Sequence, residues 1–423
     1  MENTFEELNE STYYNLRGYI AIWIGQSVSL LGSSIVQFAI IWWLTLETGS
    51  AFVLSLATFC GLVPMVLLGP FSGVLADRWN RKKIILTTDF LQAIATIGLI
   101  GLFWLDIVEI WHVLTLLTVR GVFQAFQMPA IVAIVPQMVP KNRISRINAL
   151  NSIFNNIIFI IGPAVAAIFL VYFSVGTILW LDAISFLAAV ATLVFVAIPP
   201  VIKTVGTELE NVSFRAQFFE GMSYLRASGF MPLIIGFTIA NILINPIFSL
   251  FPLFIKELHS GGVWELAIVI SIFQAGNFTG SLLIAVKNYT PKISTIMFVT
   301  IITFTGMLII AAAPVGFFLI IGIGALITGF SVGIIDVGII SILQIHIPSE
   351  LQGRIMSVIF TTIKSILPIA LLFVGSIAEV IGLAQLYLIC PIIGLLMVAY
   401  FVLVVKVQQL DLRLQADTIP VGS

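Results

Sequence analysis

The sequence predicts an all-α membrane protein with twelve transmembrane helices in two six-helix bundles. Three observations predict it. Of 423 residues, 60% are hydrophobic and 9% charged, where soluble domains carry about 25% charged residues; the mean hydropathy is +1.14. Apolar runs long enough to cross a bilayer, about 20 residues each, recur twelve times. The chain also repeats itself: Gly69 and Gly73 recur 207 residues later as Gly276 and Gly280. Likewise Gly121, Pro140 and Arg146 recur 208 residues later as Gly329, Pro348 and Arg354.

The expected spans are 19–45, 51–75, 84–104, 110–136, 147–172, 176–198, 231–254, 264–286, 293–313, 316–344, 355–380 and 384–406. They give an N-terminal tail over 1–18, a first bundle over 19–198, a linker over 199–230, a second bundle over 231–406 and a tail over 407–423. Lys and Arg set the orientation. With the N-terminus inside, sixteen of the nineteen basic residues fall in inner segments and one, Lys256, in an outer loop. The remaining two, Arg120 and Lys364, lie within spans. Both termini are therefore expected in the cytoplasm, in a multi-pass protein of the cell membrane. The first eighteen residues hold Glu2, Glu6, Glu7 and Glu10 against Arg17, the wrong charge for a signal peptide.

Span one carries Gln26, Ser29, Ser33 and Gln37 at spacings of three, four and four. That polar stripe on an apolar helix suits a water-filled cavity. Trp42 and Trp43 at its outer end read as interfacial aromatics. Between spans two and three lies the basic turn of Asp77, Arg78, Arg81, Lys82 and Lys83. Gly69 and Gly73 just before it share a helix face that can approach a neighbour closely. In the linker, Phe214, Phe218, Met222 and Leu225 form an apolar stripe on a short helix, read as interfacial. A further short helix is expected near 5–16.

Charges within spans cost on the order of 2.5–3.5 kcal/mol on insertion scales, so each needs a reason. Arg120 shares a face of span four with Gln124 and Gln127. From the residues alone it reads as a structural partner of carbonyls or of Asp182 on span six. Asp336 and Lys364 both lie about 15 Å from the inner ends of consecutive spans at 1.5 Å per residue. Equal depth suggests an ion pair, either a proton-linked switch or a permanent link. Asp89 reads as a brace for Arg143 or Arg146, with substrate contact as the alternative, and Asp182 on span six is read as structural in the same way. Span seven offers Asn241 and Asn245, with Pro246 breaking the helix, and span eight offers Gln274 and Asn277. These amides either line a cavity or bond helix to helix.

Other classes are disfavoured. Net charge is −1, with no basic surplus for nucleic acid. The phosphate-loop pattern GxxxxGK[ST] is missing, so no nucleotide drives this chain. His112, His259 and His346 stand apart near span ends, and Cys60 and Cys390 lie in separate apolar runs. No metal, cofactor or enzyme chemistry is expected.

The stretch GPFSGVLADRWNRKK (Gly69–Lys83) closely resembles motif A of the major facilitator superfamily, keeping Gly73, Asp77, Arg78 and the basic cluster. Asn80 stands where the family often has Gly; Asn also tolerates a left-handed backbone. RGVFQAF resembles motif B of drug exporters, with Arg120 and Gln124 matched and Ala125 in place of Gly. IIGPAVAA resembles the antiporter motif C through Gly162 and Pro163, with Ala166 and Ala167 where Gly is usual. DRWNRKK, RINALNS, WLDAISFL, EGMSYLR and GRIMSV together resemble the drug:proton antiporter branch of macrolide efflux proteins and enterobactin exporters.

The resemblance implies export of an amphipathic, macrolide-like compound by proton antiport through alternating access. An endogenous metabolite such as a siderophore, or a lysolipid, is the alternative cargo. The implied partners are a small-molecule substrate, protons and membrane lipid. It also implies gating by Asp77 and Arg81 and coupling through Arg120. Helices one, four, seven and ten line the cavity in this superfamily, which makes Gln26, Arg120, Asn241 and Asp336 candidates there.

Overall fold

The computed structural model describes residues 15–198, 222–287 and 291–406. The expected helices near 5–16 and 214–225 fall mostly outside them, as do both tails. Of the linker stripe, Met222 and Leu225 are described; Met222 is half-buried and Leu225 buried.

Twelve long helices carry the described chain: α1 Leu16–Thr48, α2 Ala51–Arg78, α3 Arg81–Trp104, α4 Ile110–Met138, α5 Lys141–Tyr172, α6 Val175–Phe195, α7 Met231–Ser249, α8 Val263–Lys287, α9 Ile293–Ala311, α10 Phe318–His346, α11 Ser349–Ile381 and α12 Leu383–Leu403. Each holds a stretch long and apolar enough to span a bilayer. Helix starts are chemically marked. The Asn15 side chain accepts from the Gly18 N–H at 2.9 Å, and that of Asn80 accepts from the Lys83 N–H at 3.2 Å, satisfying donors that a helix leaves open. Asn80 is extended, with φ −68° and ψ 110°. It therefore works as an N-cap, not as the left-handed residue its place in the motif suggests. At the other end of α1, Gly49 takes a left-handed φ of 56° and stops the helix.

The helices overrun several expected spans. Those expected from 147 and 355 begin at Lys141 and Ser349, directly after Pro140 and Pro348. Their first turns are polar and lie beyond the apolar run, so hydropathy misses them. Pro246 sits inside α7, which continues to Ser249. The break comes after it, at Leu250, followed by a short helical turn and a π-helical segment, Phe254–Leu258. Trp42 is buried within the protein and is no interfacial anchor; Trp43 packs edge-on against Phe103, 5.3 Å between ring centroids.

The chain divides into two compact units. The first holds α1, α2 from Leu56, and α3 to α6. The second holds α7 to α12 with Ser50–Ser55, where the Glu379 carboxylate accepts from Ser50 Oγ and the Phe52 N–H. In the first unit α1 packs on α5 and α6, and α3 packs on α4 and α6. The second unit repeats each pairing six helices on: α7 with α11 and α12, α9 with α10 and α12. The internal repeat in the sequence is thus a repeat of helix packing.

Within the second unit α8 lies against α10 at very short range. A methyl group at Gly276 would sit 2.6 Å from the Leu326 carbonyl oxygen, and one at Gly329 would overlap that of Phe273. Its repeat partner Gly69 differs from Gly276: among the described residues nothing stands within 4 Å of the position its Cβ would take. No described residue makes the close approach expected of Gly69. Many membrane threonines, among them Thr88, Thr238, Thr300 and Thr328, bond the carbonyl four residues back. Their hydroxyls are satisfied within their own helix.

Candidate functional site

The first unit has a polar interior in two layers. Gln26 and Ser33 on α1, Asp89 and Thr96 on α3, and Gln127 and Arg120 on α4 are each seven residues apart. Seven residues is two helical turns, about 10 Å, so each helix contributes one group to each layer.

The first layer centres on Asp89, fully buried. Gln26 Nε2 donates to its Oδ2 at 2.9 Å, and Gln127 Nε2 donates to its Oδ1. Gln92 Nε2 donates to Gln127 Oε1 at 3.1 Å. Asp89 does not brace Arg143 or Arg146. It faces inward from α3 toward α1 and α4, whereas those arginines are exposed at the start of α5.

The second layer is an ion pair. Arg120 Nη1 lies 3.0 Å from Asp182 Oδ2, with 4% and 0% of the two side chains exposed. Ser33 Oγ donates to Oδ1 at 2.8 Å and Thr96 Oγ1 to Oδ2 at 3.2 Å. The Arg120 guanidinium carbon stands 5.8 Å from the Phe186 ring centroid. Of the two roles open to Arg120, the structure places it in the pairing with Asp182. Gln124, on the same helix, is half-buried and Gln37 is exposed; neither joins a layer. Gly162 and Pro163 are buried on α5, where a methyl group at Gly162 would overlap Ser34 of α1. The antiporter-like segment is thus a close-packed one.

The second unit contains a cavity of about 270 Å³ between α7, α8 and α10. Phe237, Phe248, Phe251 and Phe273 give it aromatic walls; Asn241, Asn245, Gln274 and Asp336 give it polar groups. Asn241 Nδ2 donates to the Phe237 carbonyl, and Asn245 Nδ2 to Asn241 Oδ1, both at 3.0 Å. Asp336 has no hydrogen bond or ion pair among the described residues. The expected pair with Lys364 does not form: Lys364 is exposed on α11. Shared depth fixes height along two helices but not which way each side chain is turned. Asn277 is not among the lining residues; its backbone lies against Gly329 and Gly333 instead.

The backbone of Gly73, Asp77 and Arg78 forms the last turns of α2, and their side chains lie outside the described residues. Arg81 opens α3. Lys82 has a role the sequence did not disclose. Its Nζ donates to the Val194 and Val196 carbonyl oxygens at 3.0 and 2.7 Å, placing positive charge on the C-terminus of α6. The seven-residue spacing of Asp89 and Thr96 was the missed sequence signal for the two layers.

Twelve apolar helices in a repeated six-helix unit, polar inside in one copy and hollow in the other, define a polytopic membrane protein. The chain belongs to the Major Facilitator Superfamily, whose model matches residues 22–372. It is 30% identical over 404 residues to Macrolide efflux protein A of Streptococcus pyogenes, covering 93% of this chain and 98% of that one. It is 29% identical over 332 residues to Macrolide efflux protein A of Enterococcus faecalis, covering 76% and 100%. The nucleoside transporter NupG has a similar fold, with TM-score 0.71 at 13% identity over 91% of this chain and 98% of that one. Superfamily membership makes this a multi-pass membrane transporter of a small-molecule substrate, related to macrolide efflux proteins.

Proposed function

We propose that the protein exports an amphipathic, macrolide-like compound in exchange for protons, by alternating access, with both termini in the cytoplasm. The cavity of the second unit carries this reading. Its four phenylalanines suit an apolar body, and its amides and lone carboxylate suit a polar or cationic arm. Drug-sized pockets run to about 300–1,000 Å³, so about 270 Å³ holds one substituent of such a cargo. Asp336 is the coupling group there, because a carboxylate without a partner holds either a proton or a cationic arm but not both. Arg120 supports the fold of the first unit through Asp182, and Lys364 takes no part. Gly73, Asp77, Arg78 and Arg81 form the gate of motif A on the cytoplasmic face.

The test is accumulation of a labelled macrolide in inside-out vesicles with an imposed proton gradient. Accumulation that collapses with a protonophore is expected. No accumulation above empty vesicles sinks the macrolide cargo, and siderophores and lysolipids follow as probes.

A further inference from the structure

We propose that Asp89 is a second proton-binding site of the transport cycle, built into the first unit; this rests on the antiport reading above. Asp89 is fully buried, and removing a carboxylate from water costs several kcal/mol unless a charge compensates it. None does in its layer. Among the described residues its partners are the neutral amides of Gln26 and Gln127.

The charged groups on neighbouring elements are engaged elsewhere or distant along their helices. Arg120 of α4 lies two turns away and is held by Asp182 of α6. Tyr19 of α1 lies two turns from Gln26, with its hydroxyl accepting from Asn151 Nδ2 at 3.0 Å, and Arg17 is near the start of α1. On α3 itself, Arg81, Lys82 and Lys83 occupy the first turn, two turns from Asp89, and Lys82 binds α6 carbonyls.

The layer is also short of a donor. Gln92 Oε1 is buried without a hydrogen-bond partner, while Gln127 Nε2 already serves both Asp89 and Gln26 Oε1. A proton taken from water onto Asp89 converts one acceptor of the layer into a donor. Gln26 makes the site switchable. It is half-buried, so one side chain separates the carboxyl from the more accessible face of α1. With Gln26 bonded, the carboxylate keeps two donors and its charge is supported. With Gln26 swung away, one donor is lost and the neutral acid is favoured.

The measurement is infrared difference spectroscopy between mildly alkaline and mildly acidic buffer on the full-length protein in liposomes. The wild type should show the carbonyl stretch of a newly protonated carboxyl group. Part of that band should vanish in Asp89→Asn and remain in Asp336→Asn. An undiminished band in Asp89→Asn overturns the proposal. If Asp89→Asn does not fold, Asp89→Glu keeps the carboxyl and should move the band; an unmoved band overturns it equally.

Vesicles supply the functional readout. Asp89→Asn should lose about tenfold of gradient-driven accumulation, within the usual range of coupling between sites. Its exchange of labelled for unlabelled macrolide should stay close to wild type. Equal loss of both assigns Asp89 a structural role and overturns the proposal. Wild-type accumulation that ignores a protonophore would instead sink the antiport reading, and the infrared band would still judge Asp89.

Discussion

The two six-helix units share their helix pairings and differ in what holds those pairings together. In the first, α1, α3, α4 and α6 are joined by amides, hydroxyls and one buried ion pair. In the second, α8 and α10 meet backbone to backbone, and the polar groups are released into a cavity. Polar glue and glycine packing answer one problem, since lipid supplies no hydrophobic drive between helices; the first unit uses both, with Gly121 against the Gly61 carbonyl and Gly162 against Ser34. A unit bonded through charges is sensitive to the loss of any one partner. A unit packed on glycine is sensitive to added volume, and it leaves Asp336, in the cavity wall, available for cargo.

That contrast can be broken most directly at the ion pair. Arg120→Leu should lower stability by about 3–5 kcal/mol, because Asp182 is left charged and buried. The double variant Arg120→Leu/Asp182→Leu should recover most of the loss. Thermal unfolding in detergent measures both, and a double variant as unstable as the single one would mean that Asp182 is held by Ser33 and Thr96 alone.

The next largest effect belongs to the glycines. Gly276→Ala should lose about 1–3 kcal/mol through overpacking. Its repeat partner Gly69→Ala meets no neighbour among the described residues and should be neutral or gain up to about 1 kcal/mol in helix propensity. Equal melting temperatures for the pair would erase the distinction drawn between the units.

Asp336→Asn sharpens the functional side of the comparison. Removing an unpartnered carboxylate should raise stability by about 0.5–2 kcal/mol while transport falls, a trade common at functional sites. Melting temperature and vesicle accumulation should therefore move in opposite directions; a fall in both would place Asp336 among the structural groups. The smallest effect is at Lys82. Lys82→Gln removes a cation from the α6 C-terminus and should cost about 0.3–1 kcal/mol, less at high salt.

The membrane fold was readable because a bilayer demands long apolar runs and the repeat preserved its glycines and prolines. Helix ends were less readable, since α5 and α11 continue into polar turns that hydropathy does not register. The candidate cavity was half readable. Asn241, Asn245, Gln274 and Asp336 line the pocket of the second unit, whereas Gln26 and Arg120 are engaged in the layers of the first and the Asn277 backbone lies against Gly329 and Gly333. Spacing within a helix says which residues share a stripe, but not which neighbour the stripe meets. Gln26 and Asp89 are 63 residues apart in sequence, and only the packing of α1 on its neighbours brings them together. For the same reason Asp336 and Lys364, matched in depth, do not meet.

The ion pair also bears on how the protein is made. Arg120 and Asp182 are 62 residues apart, and each is costly to leave alone in a bilayer. Synthesis proceeds at about 5–20 residues per second, so α4 leaves the ribosome about 3–12 s before the residue that neutralises its arginine. During that interval Arg120 carries a cost on the order of 2.5–3.5 kcal/mol on insertion scales, borne by the apolar remainder of α4. The ion pair can form only once α6 has been made, so the polar interior of the first unit is completed by its last helix.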